Sequence, residues 1–466
     1  MEEMHVDLAV IGSGPAGQKA AIQAAKLGRS VLVIDKGEHP GGAGLNTGTI
    51  PSKSLREAIL DLTNFRERSF YGQEHGIPEV SINDLNYRLH QVLGKERDIL
   101  RRQFRKNHIR MIRGRASFVS PEELRVIEEP LEIEYRVRPE KVMIATGSKP
   151  RNPINVPFDD EIILDSNRLL NIGKLPKSMI VLGGGVIGSE YASFFAALGV
   201  DVTVTDKKDH MLSSLDAEIG IHLQTALSEI GLKFLGNKQP QEILRRADRA
   251  EVHFTDGSSL EADVLLYALG RIANVEGLAI ENAGISLNVR GHISVNGDFQ
   301  TVVPHIYAIG DVLGEPALAS TSFEQGRLAA RHAFGAHSAP FPKVYPIGIY
   351  TIPEISYCGQ TEKELQAQAI HYETGRAYYY EIARGQIEGS EVGMFKILFD
   401  ADSLRILGVH VIGRAATEVI HIGQVAMAFN APVDFFIQTV FNYPTYAEGY
   451  RIAALNGINK LGRLQN

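Results

Sequence analysis

Two stretches of the chain, residues 6–36 and 177–207, repeat one order of apolar and polar positions. The first reads VDLAVIGSGPAGQKAAIQAAKLGRSVLVIDK and the second reads KSMIVLGGGVIGSEYASFFAALGVDVTVTDK. Each contains an apolar run, a glycine turn, a stretch of helical period that ends at Leu-Gly, and a second apolar run closed by Asp. This order predicts a strand, a turn, a helix and a second strand. Two such units predict two nucleotide-binding domains.

Shorter apolar runs predict further strands in Lys141–Pro150, Ala262–Arg271 and His305–Val312. The pattern changes from about Tyr345. There, Gly393–Gly413 predicts a β-hairpin.

Helical stretches are predicted near 415–430 and 445–462, so the C-terminal region is predicted to be a separate α+β domain. Residues 55–115 carry Arg and Glu at helical spacing and predict long helices inserted into the first domain.

The first glycine turn has the spacing of a phosphate cradle. Gly12, Gly14 and Gly17 allow the turn, the approach of a pyrophosphate to the backbone, and close packing of helix on strand. The N-terminus of the following helix attracts negative charge. Asp35 ends the next strand, where a carboxylate binds ribose hydroxyls. The pattern predicts a bound dinucleotide.

The second turn repeats the arrangement with Gly183, Gly185 and Gly188. Asp206 ends the second strand and favours the free 2′-hydroxyl of NAD over the 2′-phosphate of NADP. Lys207 and Lys208 could pair with that phosphate, or they could be a solvated strand end. The mixed signal predicts a site that accepts both nucleotides.

Composition narrows the class of protein. The chain has 466 residues, 44% of them hydrophobic and 22% charged, which predicts a soluble globular protein of two to four domains. The net charge of −7 gives no electrostatic case for a nucleic-acid partner. Cys358 is the single cysteine, so no intramolecular disulfide and no thiolate metal cluster can form. No metal site is predicted.

The sequence also indicates where in the cell the protein is expected. The sequence MEEMHVDLAVIGSG has acids where a signal peptide needs basic residues. No apolar stretch reaches the roughly 20 residues that cross a bilayer. We expect a cytoplasmic protein with no membrane partner.

Six motifs together resemble the pyridine nucleotide–disulfide oxidoreductases, the flavoproteins that include dihydrolipoamide dehydrogenase and glutathione reductase. They are Gly12–Gly17, GTIPSK, ATGSKP, Gly183–Gly188, YALGR and YAIGD, in the family's order along the chain. The resemblance implies an α/β fold with two Rossmann-like domains and a C-terminal α+β dimerisation domain. It implies FAD in residues 1–155 and 275–344, NAD(P) in 156–274, and a homodimer interface in 345–466.

The resemblance also implies roles for single residues. Lys53 resembles the lysine near flavin N5 and Glu190 its ion-pair partner, although a surface lysine and a helix glutamate would look the same. Asp311, after Gly310, resembles the residue that binds the ribityl chain. The remaining motif residues implied to bind cofactor are Gly42, Thr146, Gly147 and Gly270.

The chain departs from the family at three positions. The two cysteines of the redox disulfide are replaced by Gly44 and Thr49, and the acid–base histidine near the C-terminus by Tyr443, while Glu448 remains. A hydroxyl does not replace a thiolate. Tyr443 and Glu448 are implied to line the far side of the flavin across the dimer, or to be a packed corner of the interface. The departures predict that disulfide reduction has been lost.

Electrons stored on a flavin could then leave to a second nicotinamide nucleotide, oxygen, a quinone or dye, or a protein. The segments GIYTIPEIS, FNYPTYAE and YRIAALNG resemble the soluble, Si-specific pyridine nucleotide transhydrogenases, a subgroup of the family. The predicted function is hydride transfer between NADPH and NAD+ by a ping-pong mechanism through flavin N5. An NAD(P)H diaphorase or quinone reductase, a dihydrolipoamide dehydrogenase-like protein without disulfide activity, and a redox-inactive nucleotide-binding partner stay open. So does assembly beyond a dimer.

Overall fold

The structure is a computed structural model that describes residues 2–63, 80–337, 339–390 and 392–462. The described residues belong to two compact units. Unit 1 comprises Met1–Ser54, Asn86–Arg151 and Gly270–Pro342, and unit 2 comprises Leu55–Leu85, Asn152–Leu269 and Lys343–Asn466.

Several helices follow a strand through a short turn. The helices are α1 (Pro15–Lys26), α2 (Gly42–Asn46), α3 (Thr49–Leu62), α4 (Ile82–Lys106), α5 (Val186–Ala197), α6 (Ala217–Glu229), α7 (Ala319–Ala333), α8 (Glu362–Ala367), α9 (Ala383–Ile387), α10 (Ala416–Ala428), α11 (Phe435–Gln438) and α12 (Glu448–Lys460). Those that follow a strand in this way include α1, α5, α8 and α10. Pro15 occupies the first position of α1, where its missing N–H leaves no hydrogen bond unmade. Asp216 caps α6 by accepting the amide of Glu218.

The strands are rich in β-branched and aromatic residues, as expected for extended segments. They are β1 (Glu2–Ile11), β2 (Val31–Asp35), β3 (Arg110–Ser120), β4 (Glu123–Glu128), β5 (Ile133–Ile144), β6 (Ser148–Pro150), β7 (Ile163–Asp165), β8 (Ser178–Leu182), β9 (Asp201–Thr205), β10 (Lys233–Leu235), β11 (Pro240–Arg245), β12 (Ala250–Phe254), β13 (Ser259–Ala262), β14 (Val264–Tyr267), β15 (Arg271–Ala273), β16 (Ile306–Ala308), β17 (Ile347–Ile349), β18 (Ile355–Gly359), β19 (Tyr372–Tyr378), β20 (Met394–Asp400) and β21 (Ile406–Ile412).

Unit 1 is built on a parallel sheet in the order β16-β5-β1-β2-β3. Strands β3 and β5 continue beyond this sheet and pair antiparallel with β4. Both faces are covered, so Leu8–Ile11 of β1 and Val31–Ile34 of β2 are apolar and buried, as is usual for parallel strands. Helix α1 packs against α7, where Gly326 allows a close approach: a Cβ there would lie 2.1 Å from the carbonyl oxygen of Ala16.

Unit 2 contains a parallel sheet in the order β10-β9-β8-β14-β7, with a three-stranded antiparallel sheet, β11-β12-β13. Its C-terminal part is a five-stranded antiparallel sheet in the order β17-β18-β21-β20-β19. Helix α12 packs on β19 and β20 through small residues, because a Cβ on Gly375 would lie 2.0 Å from the carbonyl oxygen of Ala453.

Most of the predicted elements are present. The two β-α-β units are β1-α1-β2 and β8-α5-β9, and the predicted hairpin is β20-β21, paired antiparallel. Helices α10 and α12 occupy the predicted C-terminal helical stretches. The prediction of helices throughout 55–115 is wrong at its end, since Arg110–Ser120 is strand β3. The part of that prediction on residues 64–79 lies outside the described residues.

Candidate functional site

The first glycine turn, between β1 and α1, forms a tight backbone cradle in unit 1. Gly12 has φ +107°, and a Cβ there would lie 2.3 Å from the carbonyl oxygen of Ala145. A Cβ on Gly17 would lie 1.9 Å from the carbonyl oxygen of Gly12, and one on Gly42 would lie 2.7 Å from the Cα of Gly14. Side chains are therefore excluded where a pyrophosphate would meet the backbone.

Asp35 is fixed at the end of β2 by three donors. The backbone N–H and the hydroxyl of Ser13 donate to one carboxylate oxygen at 2.6 and 2.5 Å, and the N–H of Gly37 donates to the other at 2.7 Å. The carboxylate is thereby held beside the glycine turn. This is the position in which such a carboxylate accepts ribose hydroxyls.

Thr146 and Gly147 follow β5 and are tied to Asn274. The Asn274 side chain donates to the Thr146 carbonyl at 3.2 Å, and its backbone N–H donates to the Gly147 carbonyl at 2.9 Å. The hydroxyl of Thr146 is buried and has no hydrogen-bond partner among the described residues, as is also true of Nδ1 of His39. Buried polar atoms in this position favour a ligand with matching groups.

Gly310 and Asp311 lie between β16 and α7, against α1. A Cβ on Gly310 would lie 3.1 Å from that of Ala16, and the Gly310 N–H donates to the side-chain oxygen of Gln325 at 2.7 Å. Asp311 accepts the hydroxyl of Ser148 at 3.0 Å. Unit 1 thus brings the glycine turn, Asp35, Thr146 and Gly310-Asp311 into one region. The cradle, the fixed carboxylate and the unpaired buried hydroxyl fit a bound FAD.

The segment Pro40–Lys53 packs on the glycine turn. Gly41 donates its N–H to the Ser13 hydroxyl at 2.9 Å. A Cβ on Gly44 would lie only 2.9 Å from Cγ of Pro15, so the first lost cysteine position has no room for a side chain unless the proline ring moves. Thr49, at the second position, is exposed and begins α3. The ammonium of Lys53, one turn later, donates to the Ser52 hydroxyl at 3.3 Å.

Unit 2 contains the second glycine turn, between β8 and α5. Gly183 has φ +109°, and a Cβ on Gly188 would lie 1.9 Å from the Gly183 carbonyl oxygen, as in the first turn. Gly185 precedes α5, and no atom lies within 4 Å of a Cβ built on it. The path of a phosphate to this backbone is open, as a nucleotide site requires.

The carboxylate of Asp206 is held by backbone donors. Gly184 donates to one oxygen at 2.7 Å, and Lys208 donates its backbone N–H to the other at 2.8 Å. The side chains of Lys207 and Lys208 are exposed. Gly270, which the sequence motif grouped with the cofactor residues, has φ +101° and accepts the Arg151 N–H at 3.1 Å within unit 1.

Glu190 is 4% exposed on α5, and one of its oxygens accepts the N–H of Tyr350 at 2.8 Å. Tyr443 is 75% exposed. Glu448 begins α12, and its Oε2 is buried with no partner among the described residues. Tyr443 is therefore accessible to solvent, and Glu448 presents a buried oxygen that no described residue satisfies.

Four residues beside the site were not predicted from the sequence. Ser13 has a local signal, because it lies between the motif glycines Gly12 and Gly14. Asn274, Gln325 and Tyr350 contact the site from distant segments. Cys358 lies on β18, eight residues after Tyr350. It is 1% exposed, its sulfur is 3.6 Å from that of Met427, and burial raises the pKa of its thiol to about 12.

The two glycine cradles define a protein with two nucleotide-binding sites, followed by a C-terminal domain built on an antiparallel sheet. The pyridine nucleotide-disulphide oxidoreductase family matches residues 6–326, and the dimerisation domain of the same family matches residues 345–454. The chain therefore belongs to the pyridine nucleotide-disulphide oxidoreductase family. This confirms the predicted fold class, and membership of a family that binds FAD and uses NAD(P)H confirms the predicted cofactors.

Proteins similar over their full length narrow the family to one kind of enzyme. The chain is 45% identical over 459 residues to the soluble pyridine nucleotide transhydrogenase of Mycobacterium bovis, covering 98% of each chain. It is 39% identical over 464 residues to the protein of the same name from Yersinia pestis, covering 99% of each. The predicted resemblance to soluble transhydrogenases is thereby confirmed.

Solved structures of the family have the same fold. LpdA from Mycobacterium tuberculosis superposes with a TM-score of 0.89 at 27% identity, covering 98% of this chain and 99% of that one. The HOCl-induced flavoprotein disulfide reductase RclA from Escherichia coli superposes with a TM-score of 0.86 at 26% identity, covering 96% of this chain and 99% of that one. A homodimer is suggested by the dimerisation domain. Among the described residues, none of the helices is both long and apolar enough to cross a bilayer.

Proposed function

We propose that this protein is an FAD-dependent NAD(P)+ transhydrogenase that moves hydride between NADPH and NAD+ by a ping-pong mechanism. The observation that carries the proposal is the segment Pro40–Lys53. It retains the helix start and the lysine of the family, yet it has glycine and threonine where a redox disulfide would lie. Full-length similarity to named soluble transhydrogenases supports the same function.

FAD would be held by the cradle of unit 1, with the motif glycines facing the pyrophosphate and Asp35 the ribose. When bound, FAD supplies reversible acceptance and release of a hydride. Lys53 is proposed to place a positive charge beside it, and Glu190 to orient that charge. None of the proposed site residues needs to act as a nucleophile.

One nucleotide pocket would serve NADPH and NAD+ in turn. Because the oxygens of Asp206 already accept backbone N–H groups, the carboxylate is held still while either ribose is present. Lys207 and Lys208 are exposed and free to move toward a 2′-phosphate. This combination favours a site that accepts both nucleotides.

A homodimer is proposed to complete the site, with Tyr443 and Glu448 facing the partner subunit. Four exposed apolar side chains lie between residues 425 and 440 of the same domain, and a second copy would cover them. They are Val425, Phe429, Phe435 and Val440.

The test is anaerobic turnover of purified holoenzyme with NADPH and the NAD+ analogue thio-NAD+. We expect reduction of the analogue, with parallel lines in double-reciprocal plots because one product leaves before the second substrate enters. Turnover with a quinone or oxygen but not with thio-NAD+ would instead identify a diaphorase or quinone reductase. A flavin that NADPH does not bleach would identify a redox-inactive binding protein.

A further inference from the structure

The carboxylate of Glu190 is held by a short backbone segment, residues 350–352. The Tyr350 N–H donates to Glu190 at 2.8 Å, and the Ile352 N–H donates to the hydroxyl of Ser193 at 3.2 Å. Ser193 lies one turn beyond Glu190 on α5, and both side chains are buried. The segment and the helix are therefore joined on both sides of Thr351.

Arg56 holds the same segment from its other side. Its Nε donates to the Thr351 carbonyl at 3.2 Å, and its Nη2 lies 3.2 Å from Oε2 of Glu354. The side chains of Arg56 and Glu354 are only 8% and 9% exposed. Glu354 also accepts the backbone N–H and the hydroxyl of Thr417, each at 3.2 Å. Both oxygens of Glu354 therefore have a partner. The Arg56–Glu354 ion pair is expected to stay formed, because an unpaired charge buried at this place would be costly.

These contacts form a continuous path within unit 2. It runs from the guanidinium of Arg56 through the Thr351 carbonyl to the Tyr350 amide, and from that amide to Glu190. Arg56 also lies on α3, one turn beyond Lys53.

We propose that Arg56 is a positioning residue that fixes the carboxylate of Glu190 through residues 350–352. Without the guanidinium, the Thr351 carbonyl loses its donor and Glu354 loses its cation, so the segment shifts and Tyr350 no longer holds Glu190. The inference rests on the proposed function, because it assumes that Glu190 assists hydride transfer. A misplacement of about 1 Å near the reacting groups can cost about 100-fold in rate.

A double-mutant cycle tests the path. The measurement is the anaerobic rate of flavin reduction by saturating NADPH in holoenzyme, with Arg56→Gln, Glu190→Gln and the double variant. We expect Arg56→Gln to slow reduction about tenfold in the natural background and less than about twofold in the Glu190→Gln background. Equal slowing in both backgrounds, or none in either, overturns the proposal.

A second measurement needs neither nucleotide nor turnover. In Arg56→Gln holoenzyme, the backbone amides of Tyr350 and Ile352 should exchange hydrogen at least about tenfold faster, because the segment opens locally. Arg376→Gln is the control, since it breaks an Arg–Glu pair, 2.7 Å to Glu218, elsewhere in the same unit. Unchanged exchange in Arg56→Gln, or equal acceleration in the control, contradicts the proposal.

Glu354→Gln provides a second variant if Arg56→Gln does not fold, because it keeps the shape of the side chain and removes its charge. It should show the same coupling to Glu190 and the same faster exchange. Both measurements remain informative if thio-NAD+ is not reduced, because flavin reduction by NADPH and amide exchange do not require a second nucleotide. Failure of the proposed function is thus distinguishable from failure of this inference.

Discussion

Lys207 and Lys208 are the side chains most suited to distinguish the two nucleotides. Replacing both by Ala should weaken NADPH binding about tenfold or more and change NADH binding little, because a 2′-phosphate forms charge-assisted hydrogen bonds. The measurement is the dissociation constant of each nucleotide for the holoenzyme. Lys233→Ala is the control, since this exposed lysine pairs with Asp201 in the same unit. Equal loss for both nucleotides would show that the two lysines do not recognise the phosphate.

Gly44 lies where the structure leaves little room for the first of the two lost cysteines. A cysteine there would bring its Cβ against the ring of Pro15, which begins α1. Gly44→Cys should lower the free energy of unfolding by about 1–3 kcal/mol, the usual cost of overpacking. Denaturant unfolding of the holoenzyme measures it.

Thr49→Cys is the matched control for this experiment, because Thr49 is exposed and the two side chains are similar in size. It should change the free energy of unfolding by less than about 0.5 kcal/mol. Equal stability of the two variants would mean that Pro15 moves aside at no cost.

Strand β20 contains Lys396, which is 1% exposed. Its ammonium lies 2.7 Å from Asp216 and 2.9 Å from Glu218, and it also contacts Glu362. These three carboxylates are spaced as a metal site would be, but the ammonium of Lys396 bonds to each of them. The cluster joins the cap of α6 to the C-terminal sheet.

This cluster predicts a dependence of stability on pH. Burial acts to raise the pKa of Glu218, but bonds from Arg376 and Lys396 outweigh it and lower the pKa to about 2 from an ordinary value of 4.5. A lowered pKa stabilises the fold above pH 4.5, and that contribution is lost as the pH falls toward 2. Unfolding free energy measured across this range should decline.

Lys396→Met should lower the free energy of unfolding at neutral pH by about 3–5 kcal/mol, because it leaves the buried carboxylate of Asp216 without its cation. The difference from the natural protein should shrink in acid, where the carboxylates become protonated. Lys233→Met, at an exposed ion pair, should cost less than about 1 kcal/mol. A constant difference at every pH would contradict this account.

The elements that could be predicted are those whose signal is local. Units β1-α1-β2 and β8-α5-β9 combine glycine spacing with apolar runs, so the strands and helices follow from neighbouring residues. Strand β3 was missed because its alternation of buried and exposed residues follows directly on the charged helix α4. The contact of Arg56 with Thr351 joins residues 295 positions apart, and no local pattern records it. The ion pairs of Lys396 with Asp216, Glu218 and Glu362 also join distant segments, and no local pattern predicts them.

At the scale of the whole molecule, the exposed apolar side chains of the dimerisation domain predict a dimer. Phe429 is 82% exposed and Val440 is 89% exposed. Replacing both by Glu should place charges in the interface and give monomers at micromolar concentration, as measured by sedimentation velocity. Ile154→Glu, at an exposed residue of unit 2 outside the dimerisation domain, is the control.

The same variants test whether the partner subunit completes the site. If Tyr443 and Glu448 act across the dimer, monomers should lose most of the hydride transfer. A monomeric variant with full activity would reduce these residues to a structural role. If the double variant sediments with the same mass as the natural protein, the interface lies elsewhere. If the natural protein sediments with a mass above that of two chains, it forms a larger assembly.

The buried position of Cys358 has a consequence for survival under oxidative attack. A thiol with a pKa of about 12 is almost never ionised near neutral pH, and peroxides and electrophiles react with thiolates. This protein offers such reagents no readily ionised thiol, so its hydride transfer should resist thiol-modifying reagents.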